Sequence, residues 1–265
     1  MERRRIDDLA TITINYMVAA AFGLLLVRGK GETEVLFSPE WTVPALSIGV
    51  LFIILYLIMI RSAITSGITI TAVASRMSVI IPVLAGFWLF HDAVSLLKLL
   101  GIALALLSFF LVLKPPGKFN TNYAAIFLPV LLMVGIGFND TLMKYMQVHF
   151  ISGREIQFLV VVYFASLIVG VILLGLKLYR KGILWNWPVI PAGVLLGLLN
   201  FGSTLFLLRA MSTIESSVLF PVFNIGVIIL SALTGIAFFR ERLRKLNWVG
   251  LGLAAIAIYL ITSGR

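Results

Sequence analysis

Residues 90–105 read FHDAVSLLKLLGIALA, and residues 239–254 read FRERLRKLNWVGLGLA. Displaced by 149 positions, the two stretches place an aromatic residue, an acidic residue and a glycine at corresponding positions, with Gly101 on Gly250. In both, the acidic residue stands shortly before an apolar segment long enough to be a helix. The pattern therefore predicts that a turn followed by a glycine-bearing helix occurs twice in the chain.

The correspondence extends upstream, where a displacement of 147 positions pairs Gly23 with Gly170. Matches in the same order at a nearly constant displacement are typical of an internal repeat. We therefore predict that the chain consists of two structural repeats, residues 1–118 and residues 119–265.

The composition is far more apolar than that of a soluble domain. Of the 265 residues, 61% are apolar and 12% charged, and the mean hydropathy is +1.10, whereas soluble domains have about 45–50% apolar and about 25% charged residues. So little polar surface cannot cover a folded chain in water, so its main solvent must be lipid. The net charge of +10 is carried by Lys and Arg residues between apolar runs, which indicates membrane topology rather than a nucleic-acid surface.

Nine apolar segments are present, and most are long enough for a helix to cross the ~30 Å hydrocarbon core of a bilayer. They lack the alternating pattern of outer-membrane β-barrel strands, so the sequence predicts an all-α polytopic membrane protein. Pro82 and Pro221 are expected to interrupt their long helices. The approximate limits of the segments are 9–27, 43–60, 64–90, 96–113, 122–146, 156–176, 188–208, 213–239 and 246–263.

The two repeats differ in helix number, with four segments in the first and five in the second, and the segment at 122–146 has no counterpart. We expect its partner upstream of Met1, in an ancestral five-plus-five protein; the alternative is a genuine nine-helix protein. Connectors on the N-terminal side carry 13 Lys and Arg residues against seven on the opposite side. The positive-inside rule then predicts a cytoplasmic amino-terminal end.

Arg76, near the middle of the third segment, is the clearest candidate for a functional residue. An ionisable side chain at a helix centre in a membrane costs about 2.5–3.5 kcal/mol, so it needs a reason. The planar fork of donors on Arg suits an anionic group such as a substrate carboxylate. The alternative is a structural Arg that pairs with an acidic residue or reaches the helix end by snorkelling.

Asp140 and Lys144 are four residues apart on one helix face, where they can neutralise each other, and Asn139 precedes them. One hypothesis is a pair that contacts or gates a substrate; the alternative is an interfacial salt bridge near the helix end. Glu215 and Arg209 lie at a connector, and we expect both to be loop residues.

Uncharged polar residues inside the segments complete the candidate substrate-binding set. Tyr16 and Tyr163 are equivalent in the two repeats, and Asn224 falls on Ser75, as expected for a cavity at a repeat interface. The alternative for each is ordinary interhelical hydrogen bonding, worth about 0.6 kcal/mol. The set is Asn15, Tyr16, Ser75, Tyr163, Asn200 and Asn224.

The composition argues against a catalytic, metal or cofactor site. The chain has no Cys, which excludes thiolate chemistry, and only two His, too few for a His-rich metal site. No Gly-x-Ser-x-Gly elbow or phosphate-binding loop is present. We therefore expect no enzymatic activity, no metal and no cofactor.

The whole pattern resembles the drug/metabolite transporter superfamily, in particular its ten-helix EamA-type branch, with the first helix absent. The residues that carry the resemblance are the turns His91-Asp92 and Arg240-Glu241, where that branch usually has Gly-Glu, each leading to its glycine-bearing helix. The resemblance implies two inverted repeats, here about four plus five helices, around a central cavity. It also implies the cytoplasmic (inner) membrane of a bacterium and two cytoplasmic termini, which disagrees with an odd number of spans.

Residues 141–145, TLMKY, resemble the end of the first helix in small multidrug resistance exporters, which are four-helix relatives. Those exporters have an essential membrane Glu eight residues before the Lys, and this chain has Ile136 there. Exchange of protons for cationic drugs is therefore not expected.

The expected function is secondary transport or export of small metabolites by alternating access, without nucleotide hydrolysis. The expected partners are membrane lipid and a small molecule, with amino acids and amphiphilic metabolites fitting equally well, and no nucleic acid. The alternatives are a lipid-carrier flippase of the same superfamily, which predicts a laterally open groove, a membrane-embedded enzyme acting on lipid, and an inert or partner-dependent fragment.

Overall fold

The structure, a computed structural model, describes residues 7–29, 37–113, 123–151, 153–181, 187–239 and 245–264. Within these ranges the secondary structure is entirely α-helical. The helices are α1 (Asp8–Gly29), α2 (Thr42–Ser66), α3 (Ile68–Met77), α4 (Ile80–Leu89), α5 (Leu96–Leu113), α6 (Tyr123–His149), α7 (Glu155–Lys181), α8 (Val189–Thr213), α9 (Ser216–Phe239) and α10 (Lys245–Ser263).

Nine spans of the described residues are long and apolar enough to cross a membrane, with α3 and α4 together forming the third, Ile68–Leu89. The nine predicted segments are thus confirmed. The largest difference is in α2, predicted to end near residue 60 and observed to end at Ser66. Arg61 suggested a connector, but its exposed side chain lies on the helix, because a long basic side chain near a helix end can reach the interface by itself.

The two prolines behave differently. The third span is interrupted at Ser78 and Val79, just before Pro82, and α4 begins at Ile80, which agrees with the predicted interruption. The second interruption is not observed, because α9 continues through Pro221. A proline removes one hydrogen bond of the helix, and membrane helices tolerate that loss when other groups satisfy the backbone.

The chain divides into two compact units, and each contains elements of both predicted repeats. Unit 1 comprises Met1–Ile54 and Leu142–Ser212, and unit 2 comprises Leu55–Thr141 and Thr213–Arg265. The predicted boundary between repeats, near residue 118, lies outside the described residues, as does the second acidic turn, Arg240-Glu241. The division into repeats stays a prediction about internal similarity.

In unit 1, α1 packs along α7 in an antiparallel arrangement. A methyl group built on Gly23 would lie 2.8 Å from Cγ2 of Val160, and one built on Gly170 would lie 3.0 Å from Oγ1 of Thr13. Under the displacement of 147 positions, Val160 is the equivalent of Thr13. The late part of each helix therefore contacts the early part of the other, and glycine permits the close approach.

Unit 2 has the same arrangement in α5 and α10. A methyl group on Gly101 would lie 2.7 Å from Cγ1 of Ile261, and one on Gly250 would lie 2.7 Å from Cγ2 of Val112. Ile261 is the equivalent of Val112 under the displacement of 149 positions. Ser108 donates a hydrogen bond to the carbonyl of Gly250 at 2.8 Å. The two equivalent helices are therefore antiparallel and make reciprocal contacts.

Candidate functional site

Arg76, in the last turn of α3, contacts α9 of the same unit. Its Nη1 donates a hydrogen bond to Oδ1 of Asn224 at 3.1 Å. Asn224 is buried, and its Nδ2 donates to the carbonyl of Phe220 at 3.0 Å. Because the Nδ2 group is held by its own helix, the amide oxygen points to the guanidinium.

A carboxylate also acts on Arg76. Asp140 of α6 lies close enough to the guanidinium for their charges to interact. The neighbouring part of α6 packs closely, since a methyl group on Gly137 would lie 2.6 Å from Ile81 and one on Gly135 would lie 2.3 Å from Leu55. The predicted candidates Arg76, Asp140 and Asn224 therefore come together within unit 2.

Arg76 lines a cavity of about 330 Å³. The polar part of the lining consists of Arg76, Ser231 and Asn247, and apolar side chains that include Val112 and Ile228 form the rest. This volume is at the lower end of the range for small-molecule sites, which are mostly apolar with a few placed polar groups.

Ser75 and Asn139 occupy different positions from Arg76. The Ser75 hydroxyl donates to the carbonyl of Thr71 in its own helix at 2.9 Å. Asn139 is buried, and its Oδ1 has no hydrogen-bond partner among the described residues. A buried acceptor without a partner costs free energy unless a ligand or water satisfies it.

Unit 1 contains the second polar group. The Tyr163 hydroxyl donates to Oγ1 of Thr204 at 2.8 Å and lies 3.2 Å from the carbonyl of Asn200. The Asn200 Nδ2 group donates to Oδ1 of Asn15 at 3.3 Å. Three predicted candidates, from α1, α7 and α8, are therefore linked by hydrogen bonds, together with Thr204.

Tyr16 joins this group by packing. Its ring centroid lies 6.2 Å from that of Tyr163, within the range of favourable aromatic pairs. Phe52 and Phe201 each lie 6.0 Å from the ring of Tyr163, so that ring is surrounded by aromatic side chains. The repeat-related tyrosines thus lie next to each other, near the middle of the antiparallel contact between α1 and α7.

Lys144 is buried in unit 1, and its Nζ donates to the carbonyl of Met211 near the end of α8. The last carbonyls of a helix have no partners within it, and a cation there also interacts favourably with the helix dipole. Lys144 therefore supports the end of α8, and its predicted pairing with Asp140 stays a prediction.

Sequence reasoning missed a polar network at one end of unit 2. Lys98 is fully buried, and its Nζ lies 2.5 Å from Oε2 of Glu215 and 2.6 Å from the carbonyl of Ala93. Asp92 accepts a hydrogen bond from the backbone N–H of Ser217. Glu215 lies in the loop between α8 and α9, as expected, and its carboxylate neutralises a buried cation.

The acidic residue of the repeated turn was the one signal in the sequence for this network. The residue before this acid has an unusual backbone conformation. His91 has a φ of 55°, in the left-handed region, which glycine adopts at little cost. Among the described residues, no group of three or more His, Asp or Glu side chains is placed to hold a metal ion.

Comparison with known proteins adds to this geometry. A profile of the EamA-like transporter family matches residues 123–263. The chain is 30% identical over 258 residues to an uncharacterized protein of Haemophilus influenzae, which covers 94% of this chain and 87% of that protein. A solved crystal structure of a protein resembles it with a TM-score of 0.76 at 12% identity, covering 97% of this chain and 89% of that chain. With nine candidate membrane spans among its described residues, the chain belongs to the EamA-like transporter family.

Proposed function

We propose that this protein is a secondary transporter of small metabolites in the cytoplasmic membrane of a bacterium. It works by alternating access of two inverted repeats and without nucleotide hydrolysis. The energy then comes from a gradient of the substrate or of a coupled ion.

The observation that carries the proposal is the reciprocal packing of equivalent helices. In both units, a helix of the first repeat lies antiparallel to its own equivalent, with Gly101 against Ile261 and Gly250 against Val112. When residue i contacts j′ and residue j contacts i′, the two elements are related by a two-fold axis. An antiparallel pair related in this way supports repeats of opposite orientation, which are typical of transporters that alternate between two access states.

The polar side chains within the membrane-spanning helices are candidates for contacts with a transported solute. We propose that each unit supplies substrate contacts, from Asn15, Tyr16, Tyr163 and Asn200 in unit 1 and from Ser75, Arg76, Asn139 and Asn224 in unit 2. Asp140 acts through its charge interaction with Arg76. The Asn139 amide oxygen, buried and without a partner among the described residues, is an acceptor that a substrate donor would satisfy. Lys144 acts by positioning the end of α8.

Transport is tested with the full chain in liposomes loaded with a mixture of amino acids, monocarboxylates, dicarboxylates and nucleosides. Mass spectrometry then measures which solutes leave faster than from liposomes without protein. We expect one chemical class to leave selectively, and more slowly in the Asn200→Leu variant. Loss of no solute, or equal loss of all, would contradict the proposal.

Alternating access is tested separately with introduced thiols, because the chain contains no Cys. In the Ser203→Cys variant, one turn from Asn200, we expect a membrane-impermeant maleimide to react from either side of the membrane. Trp187→Cys, at an exposed helix end, is the control and should react from one side only. Reaction of Ser203→Cys from a single side, unchanged by any solute that is transported, would exclude alternating access at this position.

A further inference from the structure

The guanidinium-bearing side chain of Arg76 lines a largely apolar cavity within unit 2. A guanidinium has five N–H donors, and within the described part of the chain its hydrogen-bonding partner is Oδ1 of Asn224. Donors therefore remain for an acceptor in the cavity. Arginine binds carboxylate and phosphate oxygens with two parallel hydrogen bonds, and these are about twice as strong as neutral ones.

From this geometry we propose that the cavity binds an organic anion with one carboxylate and an apolar body, and that Arg76 holds the carboxylate. The apolar side chains of the lining, such as Val112 and Ile228, suit the body of the ligand, and Ser231 lies among them as a polar contact. Binding of this anion does not depend on the proposed function, but its role as the transported substrate does.

The carboxylate of Asp140 would compete with a bound anion for the guanidinium of Arg76. Its charge interacts with that of Arg76, so a bound carboxylate must share or displace this interaction. On α6, the neighbouring Gly135 and Gly137 meet Leu55 of α2 and Ile81 of α4, which carry no charge. Removing the negative charge of Asp140 should therefore strengthen the binding of an external anion, whereas removing Arg76 should weaken it.

The test uses the full chain in nanodiscs of phosphatidylcholine, titrated with benzoate and with benzamide, its neutral analogue of nearly the same shape. We expect benzoate to raise the midpoint of thermal unfolding and benzamide to have no effect. Arg76→Gln should weaken benzoate binding about tenfold or more, the loss expected for a charge-assisted hydrogen bond. Asp140→Asn should strengthen it, by several-fold.

The gain in Asp140→Asn keeps the proposal falsifiable if Arg76→Gln fails to fold, because a misfolded protein does not bind more tightly. Arg61→Gln, which removes an exposed arginine of the same unit, should bind benzoate as the wild type does. Equal binding of benzoate and benzamide, or weaker binding in Asp140→Asn, would overturn the proposal. Loss of benzoate binding on addition of phosphatidylglycerol would assign the cavity to a lipid headgroup instead of a soluble anion.

The same variants in liposomes separate this inference from the proposed function. Benzoate binding without any solute flux would leave the anion site standing and contradict transport. Selective flux of a neutral solute, unchanged in Arg76→Gln, would support transport and contradict the anion site.

Discussion

The carboxylate of Asp92 accepts a hydrogen bond of 2.7 Å from the backbone N–H of Ser217, and so caps the first turn of α9 from the turn that joins α4 to α5. Gly86 makes room for this contact, since a methyl group there would lie 2.5 Å from Oδ2 of Asp92. The acid that sequence comparison marked as a repeated turn residue is therefore a helix cap supplied from a distant part of the chain.

Removing this cap should destabilise the protein. We expect Asp92→Ala to lower the free energy of unfolding by about 1–2 kcal/mol, because a buried N–H loses its acceptor. Asp92→Asn keeps a side-chain oxygen and should restore part of the loss. Thermal unfolding in detergent measures both. An Asp92→Ala variant as stable as the wild type would show that water replaces the carboxylate.

Substitution of His91 by glycine should have the opposite effect. The left-handed φ of 55° at His91 costs a residue with a side chain about 1–2 kcal/mol. Part of the gain is offset by the greater freedom of glycine in the unfolded chain, so we expect His91→Gly to stabilise by about 0.5–1 kcal/mol. His91→Ala, which keeps the strain and removes only the imidazole, is the matched control and should not stabilise the protein.

The Lys98–Glu215 pair should show unequal effects of its two partners. Glu215→Gln leaves a fully buried ammonium without its counter-charge, and loss of one partner of a buried pair costs about 3–5 kcal/mol. Because Glu215 itself is 35% exposed, we expect the lower end of that range. Lys98→Met fills the same space without a charge and should cost less. Equal destabilisation by the two variants would contradict this reading of the pair.

The glycines of the α5–α10 contact should tolerate no side chain. Gly101→Ala and Gly250→Ala place a methyl group 2.7 Å from Ile261 and Val112, and overpacking of this kind costs about 1–3 kcal/mol. Gly252→Ala meets nothing within 4 Å and should be neutral or stabilising, because alanine favours a helix. Unfolding midpoints of the three variants compare the positions directly, and equal midpoints would refute the close contact.

The Asp7–Lys177 ion pair, 2.5 Å long, predicts a pH dependence of stability. Burial alone would raise the pKa of Asp7, but hydrogen bonds from Lys177 and from the N–H groups of Ala10 and Leu9 outweigh it and hold the pKa below its ordinary value. A lowered pKa means that the unfolded chain binds the proton more tightly, so this stabilisation is present above about pH 4 and is lost as the pH falls below it.

The variant Asp7→Asn tests whether stabilisation by this ion pair is lost as the pH falls. It should unfold at a lower temperature than the wild type at pH 7, and the difference should shrink as the pH falls below about 4. Glu40→Gln, at an exposed site, should unfold like the wild type throughout. A difference between Asp7→Asn and the wild type that does not change with pH would exclude the ion pair as its cause.

The sequence by itself determined the membrane-spanning helices and the family, because both depend on patterns along the chain. A hydrocarbon core about 30 Å thick requires long apolar segments, and the nine predicted segments were confirmed as helices. The repeated acid and glycine, with Gly101 on Gly250, likewise indicated the family before any contact was known. The predicted interruption at Pro221 was wrong, since the loss of one helical hydrogen bond is small beside the continuous packing of α9.

The tertiary structure decided which polar groups meet. Lys98 and Glu215 stand near the starts of two different apolar segments, 117 positions apart. A hydropathy profile scores each charged residue separately, so it cannot predict that the two neutralise each other in the folded protein. The same holds for Arg76, whose partners Asn224 and Asp140 come from two other helices. The free energy of a buried charge depends on the groups around it in space, and that arrangement exists only after the helices have packed.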